Sequence, residues 1–516
     1  LTLTSAAALL VGASLFGQVL GFLRTQVING QFQAVGPGST DAYFAAFKIP
    51  DFFFYTIAAG ALGVAFMPFL TDKLEKGDRK SVWEMTSGLL NLLGILMAVV
   101  GVIMLVFTEP LARLVMSNNA GPDQIDNAVT IMRLIALNPL LFTISGILTS
   151  LQQTFGRFFF FAIAPLIYNG CIIVSAYVFK DSLGIIGLGI GALIGAILQL
   201  LVVCFGLYGM RFQYRPTINW HSVDFRRMLK QLPPRSLDQG IDGVNSIVET
   251  NRAGSIGQGV ISFYENAFIL HMAPILLIGT TISTAAFPRL NQRLSQGRPD
   301  LYRRDFLRIL SVLFWIIMPV AVISYFARGH LARIIYKNNA PEIAVIFGFL
   351  VGAVLFRTLY SLISRYFYSH KDTKTPLFVS LFAVALNIYL AFVLSRLYEA
   401  PGLALAQSIV AAFEVFVLLL IMMWRDHKLF TVDFWGSVTR TLSVTGFTAL
   451  TAYTMVKLVP LLDTDRGFIT LSTKLLLVAV PAIVVHIVIS SIFGMEEVRP
   501  VMNKLRKLIL KPVRIQ

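Results

Sequence analysis

The segment Pro68-Phe-Leu-Thr-Asp-Lys-Leu-Glu-Lys-Gly77 recurs 220 residues later as Pro288-Arg-Leu-Asn-Gln-Arg-Leu-Ser-Gln-Gly297, and this recurrence decides the fold. Both copies read P-x-L-x3-L-x2-G, and each stands at the end of a long apolar run. Ala65-Phe-Met67 precedes the first copy and Ala285-Ala-Phe287 precedes the second. The copies therefore mark equivalent positions in a duplicated chain, an organisation that is common among membrane transporters.

The composition of the whole chain is that of a membrane protein. Its 516 residues are 56% hydrophobic and only 14% charged, with a mean hydropathy of +0.73. In an ordinary soluble domain about a quarter of the residues are charged, so this composition excludes a soluble domain. The high hydrophobic fraction excludes a disordered chain, and two cysteines are too few for a disulfide scaffold. Cys171 and Cys204 lie in apolar runs, which favours buried apolar side chains over a disulfide or a metal site.

Apolar runs that are long enough to cross ~30 Å of hydrocarbon recur fourteen times along the chain. The seventh run is the least apolar, because it contains five charged residues. The predicted spans are 6–29, 41–70, 82–107, 125–151, 158–179, 183–208, 233–254, 258–288, 306–327, 341–366, 376–396, 402–424, 434–458 and 470–494. We interpret the first of them as a retained span rather than a signal peptide, since it lacks a basic leading region.

The distribution of basic residues decides whether the seventh run crosses the membrane. With fourteen spans and a cytoplasmic amino terminus, the cytoplasmic loops together with Arg365 at the edge of one of them hold 26 Lys and Arg residues, against 10 in the outer loops and their edges. Lys and Arg concentrate in cytoplasmic loops, so the seventh run is predicted to cross and both termini to be cytoplasmic. The same bias explains the net charge of +16, and we expect no nucleic-acid partner.

Six spans separate the two copies of the repeated segment, and an even number of spans preserves orientation. We therefore predict an all-α polytopic membrane protein of about 14 transmembrane helices, arranged as two parallel six-helix repeats plus two C-terminal helices. The predicted divisions are 1–215 for the first repeat, 216–430 for the second, and 431–516 for the two additional helices and a basic cytoplasmic tail.

Three ionisable residues of the first two spans are candidates for substrate binding, because charged groups inside a membrane usually face a bundle interior or a wet cavity. Arg24 lies toward the outer end of the first span, where it could equally snorkel to the interface. Asp41 and Lys48 lie two turns apart on one face of the second span. Asp41 also follows the loop 36–40, so it could instead cap its own helix.

The seventh span carries Asp238, Asp242 and Glu249 at positions i, i+4 and i+11, on roughly one helix face. A stripe of carboxylates facing lipid is implausible, so this face is predicted to line a cavity, and it could bind a monovalent cation. Arg357 and Glu414, in later spans, are either further cavity residues or partners of neighbouring groups.

Enzyme signatures are missing from the sequence. It contains no Walker loop, no H-E-x-x-H motif and no nucleophile elbow. The loops between spans are mostly shorter than 25 residues, which leaves no room for a catalytic domain. These features favour a transporter over a membrane enzyme, and the duplicated architecture without a filter-like motif favours it over a channel.

Several segments resemble the MurJ (MviN) family of lipid II flippases, which belongs to the multidrug/oligosaccharidyl-lipid/polysaccharide exporter superfamily. The resembling segments are Leu20-Gly-Phe-Leu-Arg24, Thr40-Asp-Ala-Tyr-Phe-Ala-Ala-Phe-Lys-Ile-Pro50, Gly60-Ala61, Ala65-Phe-Met-Pro68, Val244-Asn-Ser-Ile-Val-Glu-Thr-Asn251, Ala286-Phe-Pro-Arg-Leu290 and Lys374-Thr-Pro376. The span count, the six-plus-six-plus-two plan and the orientation agree with this family along the whole chain.

The resemblance implies a flippase of the bacterial cytoplasmic membrane that moves a lipid-linked cell-wall precursor from the inner to the outer leaflet by alternating access. Its partners would be a polyprenyl-diphosphate-linked glycan, membrane lipids, and cell-wall synthesis or division proteins. Arg24 would contact diphosphate oxygens, and Asp41 would orient Arg24 or Lys48. No organic cofactor is implied, whereas a monovalent cation and the membrane potential would be candidates for coupling.

This sequence lacks several charges that such families carry. Gln18 stands at the position of another first-span arginine, Phe54 and Tyr55 replace paired arginines, and Ala59 replaces a glutamate. No Arg or Lys occurs at 265–271, where the eighth span would carry an arginine. The alternatives are therefore a flippase for O-antigen or exopolysaccharide precursors, and a degenerate, non-transporting scaffold of cell-wall assembly.

Overall fold

The structure is a computed structural model. It describes residues 3–59, 66–117, 119–230, 232–336, 338–465, 467–499 and 502–503. Of residues 3–15, 59 and 232–239 it describes the backbone alone.

The described chain is a succession of helices, two of which continue through a π-helical segment. A continuous apolar run favours a helix inside a membrane, because a helix satisfies all of its backbone hydrogen bonds within the segment. The elements are α1 (Leu3–Gln31), α2 (Thr40–Phe53), π1 (Phe54–Ala59), α3 (Met67–Glu75), α4 (Arg79–Val106), α5 (Thr108–Met116), α6 (Pro122–Ile135), α7 (Asn138–Thr154), α8 (Phe159–Val178), α9 (Lys180–Leu183), α10 (Ile186–Phe205), α11 (Val223–Leu229), α12 (Leu232–Ile256), α13 (Val260–Pro274), π2 (Ile275–Thr280), α14 (Thr281–Ser295), α15 (Pro299–Phe326), α16 (Arg328–Ile335), α17 (Ala340–Ser369), α18 (Lys374–Arg425), α19 (Val432–Leu458) and α20 (Phe468–Ile492).

Within the described residues, all fourteen predicted spans fall on helices, which confirms the predicted fold class. Among the described residues, nine helices are long and apolar enough by length and composition to cross a membrane. One of the nine, α18, carries both the eleventh and the twelfth predicted spans, and it is interrupted at Glu399, where φ is 55°. Large apolar side chains such as Val106, Leu420 and Ile469 are exposed, as expected for surfaces that face lipid.

Contacts between residues divide the chain into two compact units, Leu1–Phe263 and Tyr264–Gln516. The first unit includes α12, which packs against α2, α5 and π1. In the second unit, α19 packs against α15 and α20. These units describe packing, whereas the predicted boundaries at 215 and 430 describe the sequence duplication, so those boundaries stay a prediction.

The repeated sequence segment has the same local structure in both units. It ends α3 in the first unit and α14 in the second, at Gly77 with a φ of 75° and at Gly297 with a φ of 67°. In both copies the glycine N–H donates to the carbonyl three residues back at 3.0 Å. The next N–H donates to the carbonyl five residues back, at 3.0 and 3.1 Å. A side chain is strained at such a φ, so the shared glycine has a structural cause.

Small residues bring α8 and α10 into close contact in the first unit. A Cβ atom added at Gly191 would clash with the Ser175 hydroxyl, and one added at Gly195 would lie 3.0 Å from the Tyr168 ring. Glycines spaced four residues apart let membrane helices approach each other closely. This packing holds α8 in place, and α8 in turn packs against α1.

Candidate functional site

Arg24 is held inside the first unit by a hydrogen bond to a neighbouring helix. It lies on α1 and is half-buried, and its Nη1 donates a hydrogen bond of 3.0 Å to Oδ1 of Asn169 on α8. The Asn169 amide is itself held, because its Nδ2 donates to the Pro165 carbonyl at 3.1 Å. A neutral amide orients the guanidinium without neutralising it, so the positive charge stays available to an anion.

Asp41 is buried at the end of the first unit where α2 begins, and it binds the turn that leads into α13. Its Oδ2 accepts from the Gly259 N–H at 2.6 Å, and its Oδ1 accepts from both the N–H and the hydroxyl of Ser262, at 2.8 and 2.6 Å. Gly259 directly precedes α13 and has no side chain. The carboxylate therefore supplies from α2 the N-terminal cap that α13 lacks.

Two expectations about Asp41 are corrected by these contacts. The alternative that Asp41 caps its own helix is wrong, because α2 begins at Thr40 with Ser39 in the capping position, and Asp41 is already helical. The hydrogen bonds of its carboxylate go to Gly259 and Ser262, which differs from the expectation that it orients Arg24 or Lys48. The sequence pattern could not reveal this, since the partners lie more than 200 residues away. A contribution of Asp41 to substrate binding stays a prediction.

Amide side chains tie together the loops around Asp41. The Gln124 amide donates to the Gly36 carbonyl and to the Ser39 hydroxyl, both at 3.1 Å. Asn119 donates to the Ser255 carbonyl at 2.9 Å, which joins the loop after α5 to α12. Such bonds satisfy loop carbonyls that a helix would otherwise satisfy, so this end of the first unit is firmly cross-linked.

Lys48 links α2 to the seventh predicted span. Its Nζ donates to the Ser246 hydroxyl on α12 at 3.0 Å. On the same helix Glu249 is buried and accepts from the Asn245 amide at 3.1 Å, whereas Asp242 is exposed. The Asp238 side chain lies outside the described residues. The predicted cavity face of α12 therefore presents carboxylates in two different environments, and their role in cation binding stays a prediction.

Arg357 and Glu414 form an ion pair in the second unit, which decides between the alternatives that the sequence leaves open. The Arg357 Nη1 lies 2.7 Å from Oε2 of Glu414, a carboxylate that is only 1% exposed. The hydroxyl of Ser380 donates to the other oxygen of Glu414 at 2.7 Å. The pair joins α17 to α18, so these charges stabilise the second unit.

Sequence reasoning missed the neutral partners of these charges. Asn169 and Ser262 lie in apolar helices, Ser246 lies in the more polar α12, and each binds a charged side chain of a distant segment. For Asn169 and Ser262, a polar residue inside an otherwise apolar span is the signal that could have found them. Phe54 stands at a position where the family resemblance implies a charge. It packs edge-to-face with Phe142, with the two ring centroids 5.7 Å apart.

Comparison with known proteins connects this arrangement to a family. A family model described as Lipid II flippase MurJ matches residues 35–478. The chain belongs to the MurJ family. The match includes Asp41, Lys48 and the whole of α12, and it spans both compact units.

Curated relatives support the same assignment. A probable lipid II flippase MurJ of Thermotoga maritima is 27% identical over 82% of this chain and 86% of its own length. One from Rhizobium tropici is 23% identical over 96% of this chain and 95% of its own. The MurJ similarity therefore extends along nearly the whole sequence.

Solved structures of similar fold include a MurJ lipid II flippase in an inward closed conformation. It is 23% identical, with a TM-score of 0.77, and the alignment covers 94% of this chain and 98% of that one. An inward-facing multidrug MATE transporter of the MOP superfamily aligns with a TM-score of 0.64 at 17% identity, over 80% of this chain and 95% of that one. Both similarities confirm the fold.

Membership of the MurJ family confirms that the chain is a multi-pass membrane protein and a transporter rather than an enzyme. The substrate of such a transporter is a lipid-linked glycan, which lies in the membrane.

Proposed function

We propose that this chain translocates lipid II, the lipid-linked peptidoglycan precursor, from the inner to the outer leaflet of the bacterial cytoplasmic membrane by alternating access. The observation that carries the proposal is the continuous match to the lipid II flippase MurJ family over residues 35–478. Residues 1–215 and 216–430 would provide the two repeats, and 431–516 the two additional helices.

Arg24 would bind the diphosphate of the substrate. Its contact with the neutral Asn169 amide supports this role, because the guanidinium is oriented while its charge is retained. A guanidinium matches the oxygens of a diphosphate with a planar, bidentate set of donors. Lys48 would contribute a second positive charge from α2, and Asp41 would hold the start of α13 in register with α2.

The membrane potential would favour the outward step. Moving an anionic headgroup out of an inside-negative compartment gains about 2.3 kcal/mol per charge per 100 mV. A monovalent cation bound by the carboxylates of the seventh span would add a second driving force. The burial of Glu249 beside Asn245 supports a cation site there, because an amide and a carboxylate offer oxygen ligands.

Both termini would be cytoplasmic, since the distribution of 26 against 10 basic residues supports that orientation. Asp78, which caps α4, would then lie in a cytoplasmic loop. There its hydrogen bonds with Ser81 hold the pKa of the carboxyl below its ordinary value. Cell-wall synthesis or division proteins would be the partners that supply or consume the lipid-linked glycan.

The test is depletion of the native flippase in a bacterium that carries this gene on a plasmid. The wild-type chain is expected to restore growth and to prevent the accumulation of lipid II that follows depletion. Arg24→Ala, at equal membrane abundance, is expected to accumulate lipid II. Arg133→Ala provides a control, because Arg133 lies on α6 and has no role in the proposed binding site.

The second candidate is a non-transporting scaffold of cell-wall assembly. Gln18, Phe54 and Ala59, which replace charges implied by the family resemblance, favour it. Failure of the wild-type chain to move lipid II in proteoliposomes, together with retained septal or lateral-wall localisation, would support the scaffold. Accumulation of an O-antigen or exopolysaccharide precursor on depletion would instead identify another lipid-linked glycan as the substrate.

A further inference from the structure

A large cleft lies in the second unit, at the ends of helices that are predicted to be cytoplasmic. Its volume is about 930 Å³, within the range of sites that bind small molecules. Its walls are residues 300–312 of α15, 431–440 at the start of α19, and 494–499 after α20. The two additional C-terminal helices therefore help to build it, and its described lining includes neither Arg24 nor any residue of α12.

The segment after α20 is fixed in place by an apolar cluster and a hydrogen bond. Met495 and Val498 are buried in one cluster with Trp315 of α15. The Ser437 hydroxyl, in the second turn of α19, donates to the Glu497 carboxylate. The cleft is therefore formed before a ligand arrives, which lowers the entropic cost of binding.

Three arginines that line the cleft have no carboxylate partner among the described residues. Arg304 and Arg308 lie one turn apart on the same face of α15, and both are exposed. Arg440, on α19, donates from Nε to the Gly436 carbonyl of its own helix at 3.2 Å. Like charges one turn apart on a helix repel each other. An anion that contacts both Arg304 and Arg308 would therefore stabilise the cleft.

The four carboxylates that line the same cleft have other roles. Asp300 and Asp433 lie in the first turns of α15 and α19, where each compensates the partial positive charge of a helix N-terminus. Glu496 pairs with Arg499 at 3.4 Å, and Glu497 accepts the hydroxyl hydrogen bond from α19. The charge that is left without a partner in this cleft is positive, and its complement is an anion.

The depth of the cleft favours an anionic lipid over a soluble anion. Arg308 and Arg440 lie inside the ninth and thirteenth predicted spans, Arg440 by about 9 Å at 1.5 Å per residue. An arginine there extends its guanidinium toward the level of the lipid phosphates. Ile492 and Phe493 directly precede the cleft wall at Gly494, and both are exposed apolar side chains. They offer acyl chains a surface that a free phosphate would not use.

The sequence after the cleft adds positive charge without any carboxylate. Residues 504–516, which lie outside the described residues, contain five Lys and Arg residues and no Asp or Glu. A polybasic segment beside a membrane span is typical of proteins that bind anionic lipids, and basic pockets between membrane helices bind their headgroups. The same composition makes this segment a poor anionic occupant of the cleft.

We propose that the cleft between α15, α19 and the segment after α20 binds the headgroup of an anionic phospholipid. Arg304 and Arg308 donate to its phosphate from α15, because guanidinium groups match phosphate oxygens with paired donors. Arg440 approaches from α19, which packs directly on α15. The bound lipid ties the first of the two additional helices to the second repeat. This inference does not rest on the proposed transport of lipid II.

The test uses the purified full chain in a neutral detergent, with phosphatidylglycerol that carries a fluorophore on one acyl chain as the probe. Saturable binding is expected for the wild-type chain in fluorescence anisotropy, with competition by unlabelled phosphatidylglycerol and none by phosphatidylcholine. Arg308→Gln and Arg440→Gln are each expected to weaken binding about fivefold. Arg396→Gln removes an exposed arginine at the opposite predicted interface, so it is the matched control and should retain wild-type affinity.

Glu496→Gln removes an exposed carboxylate from the cleft and should bind at least as tightly as wild type, so it decides the outcome if the arginine variants fail to fold. The proposal is overturned by no saturable binding to the wild-type chain, by unchanged affinity in both arginine variants, by weaker binding in Glu496→Gln, or by an equal loss in Arg396→Gln.

Two competitors distinguish the other sources of a phosphate. Equal competition by inorganic phosphate would assign the cleft to a soluble anion, and equal competition by lipid II would assign it to the transported substrate. Either result would overturn the proposal. The readout is phospholipid binding alone, so failure of lipid II translocation would not be confused with it.

Discussion

The two compact units each contain an arginine in a predicted membrane span, and the two arginines have different kinds of partner. In the first unit, Arg24 donates to the neutral Asn169 amide at 3.0 Å. In the second, Arg357 contacts the buried Glu414 carboxylate at 2.7 Å, and Ser380 binds the other carboxylate oxygen. The first contact orients a positive charge, whereas the second cancels one. The difference teaches that a charged side chain in a membrane span becomes a candidate for ligand binding only when its partner within the protein is neutral and therefore does not neutralise the charge.

The fourth and tenth predicted spans differ in a related way. In the second unit α17 runs unbroken through 30 residues and presents Arg357 near its middle. In the first unit the corresponding span is divided into α6 and α7 by an Asn-Pro sequence. The second unit thus uses this helix for a stabilising ion pair, while the first unit uses a helix break that leaves Asn138 facing a small cavity.

Breaking the ion pair of the second unit is expected to have the largest effect on stability. Arg357→Leu leaves the buried Glu414 carboxylate without its cation and should lower the free energy of unfolding by about 3 kcal/mol. The double variant Arg357→Leu with Glu414→Leu should recover most of that loss. Thermal unfolding in detergent micelles measures both. Equal destabilisation by the single and the double variant would show that the two residues are not coupled.

Removing the cap that α2 supplies to α13 is expected to have the next largest effect. Asp41→Ala deletes three hydrogen bonds to Gly259 and Ser262 and should cost about 2 kcal/mol of unfolding free energy. Asp41→Asn keeps an acceptor but loses the charge, so its loss should be smaller. Unfolding curves of the two variants give the comparison. An unchanged Asp41→Ala curve would contradict the capping role.

Conservative replacement of the two arginines sharpens the contrast between orientation and neutralisation. Arg24→Lys should lower the rate of lipid II translocation about tenfold, because an ammonium cannot present a planar pair of donors to a diphosphate. Arg357→Lys should translocate at nearly the wild-type rate, since a single positive charge still pairs with Glu414. Proteoliposome flipping assays at matched protein levels measure both rates. Full activity of Arg24→Lys would remove the bidentate contact from the proposed mechanism.

The smallest effect is expected at the repeated segment, where the two units agree. Gly77→Ala and Gly297→Ala should each cost about 1 kcal/mol and by equal amounts, because φ is positive at both positions and a Cβ would meet no atom within 4 Å. Gly94→Ala, in the middle of α4 with the same open space and no positive φ, is the control and should not destabilise. Unequal costs at Gly77 and Gly297 would show that the two copies do not share their conformation.

Much of the fold was predictable because its signals are local. Runs of about twenty apolar residues predicted fourteen spans, and within the described residues these spans are helical. The P-x-L-x3-L-x2-G segment located two equivalent helix ends. The site was only partly predictable. Arg24, Asp41 and Lys48 stand out as charges in apolar spans, but their partners Asn169, Ser262 and Ser246 do not.

The sequence by itself determined that this chain is a duplicated helical membrane protein. The signals for this are the length of the apolar runs, the basic residues of the loops and the glycine that ends each repeated segment, and each of them can be recognised within a short stretch of sequence. Only the tertiary structure decided that Asp41 caps α13, that Arg24 keeps its charge beside an amide, and that arginines of α15 and α19 line one cleft. The physical reason is that whether a buried charge is neutralised depends on which distant side chain lies within about 3 Å of it, and that distance is set by helix packing.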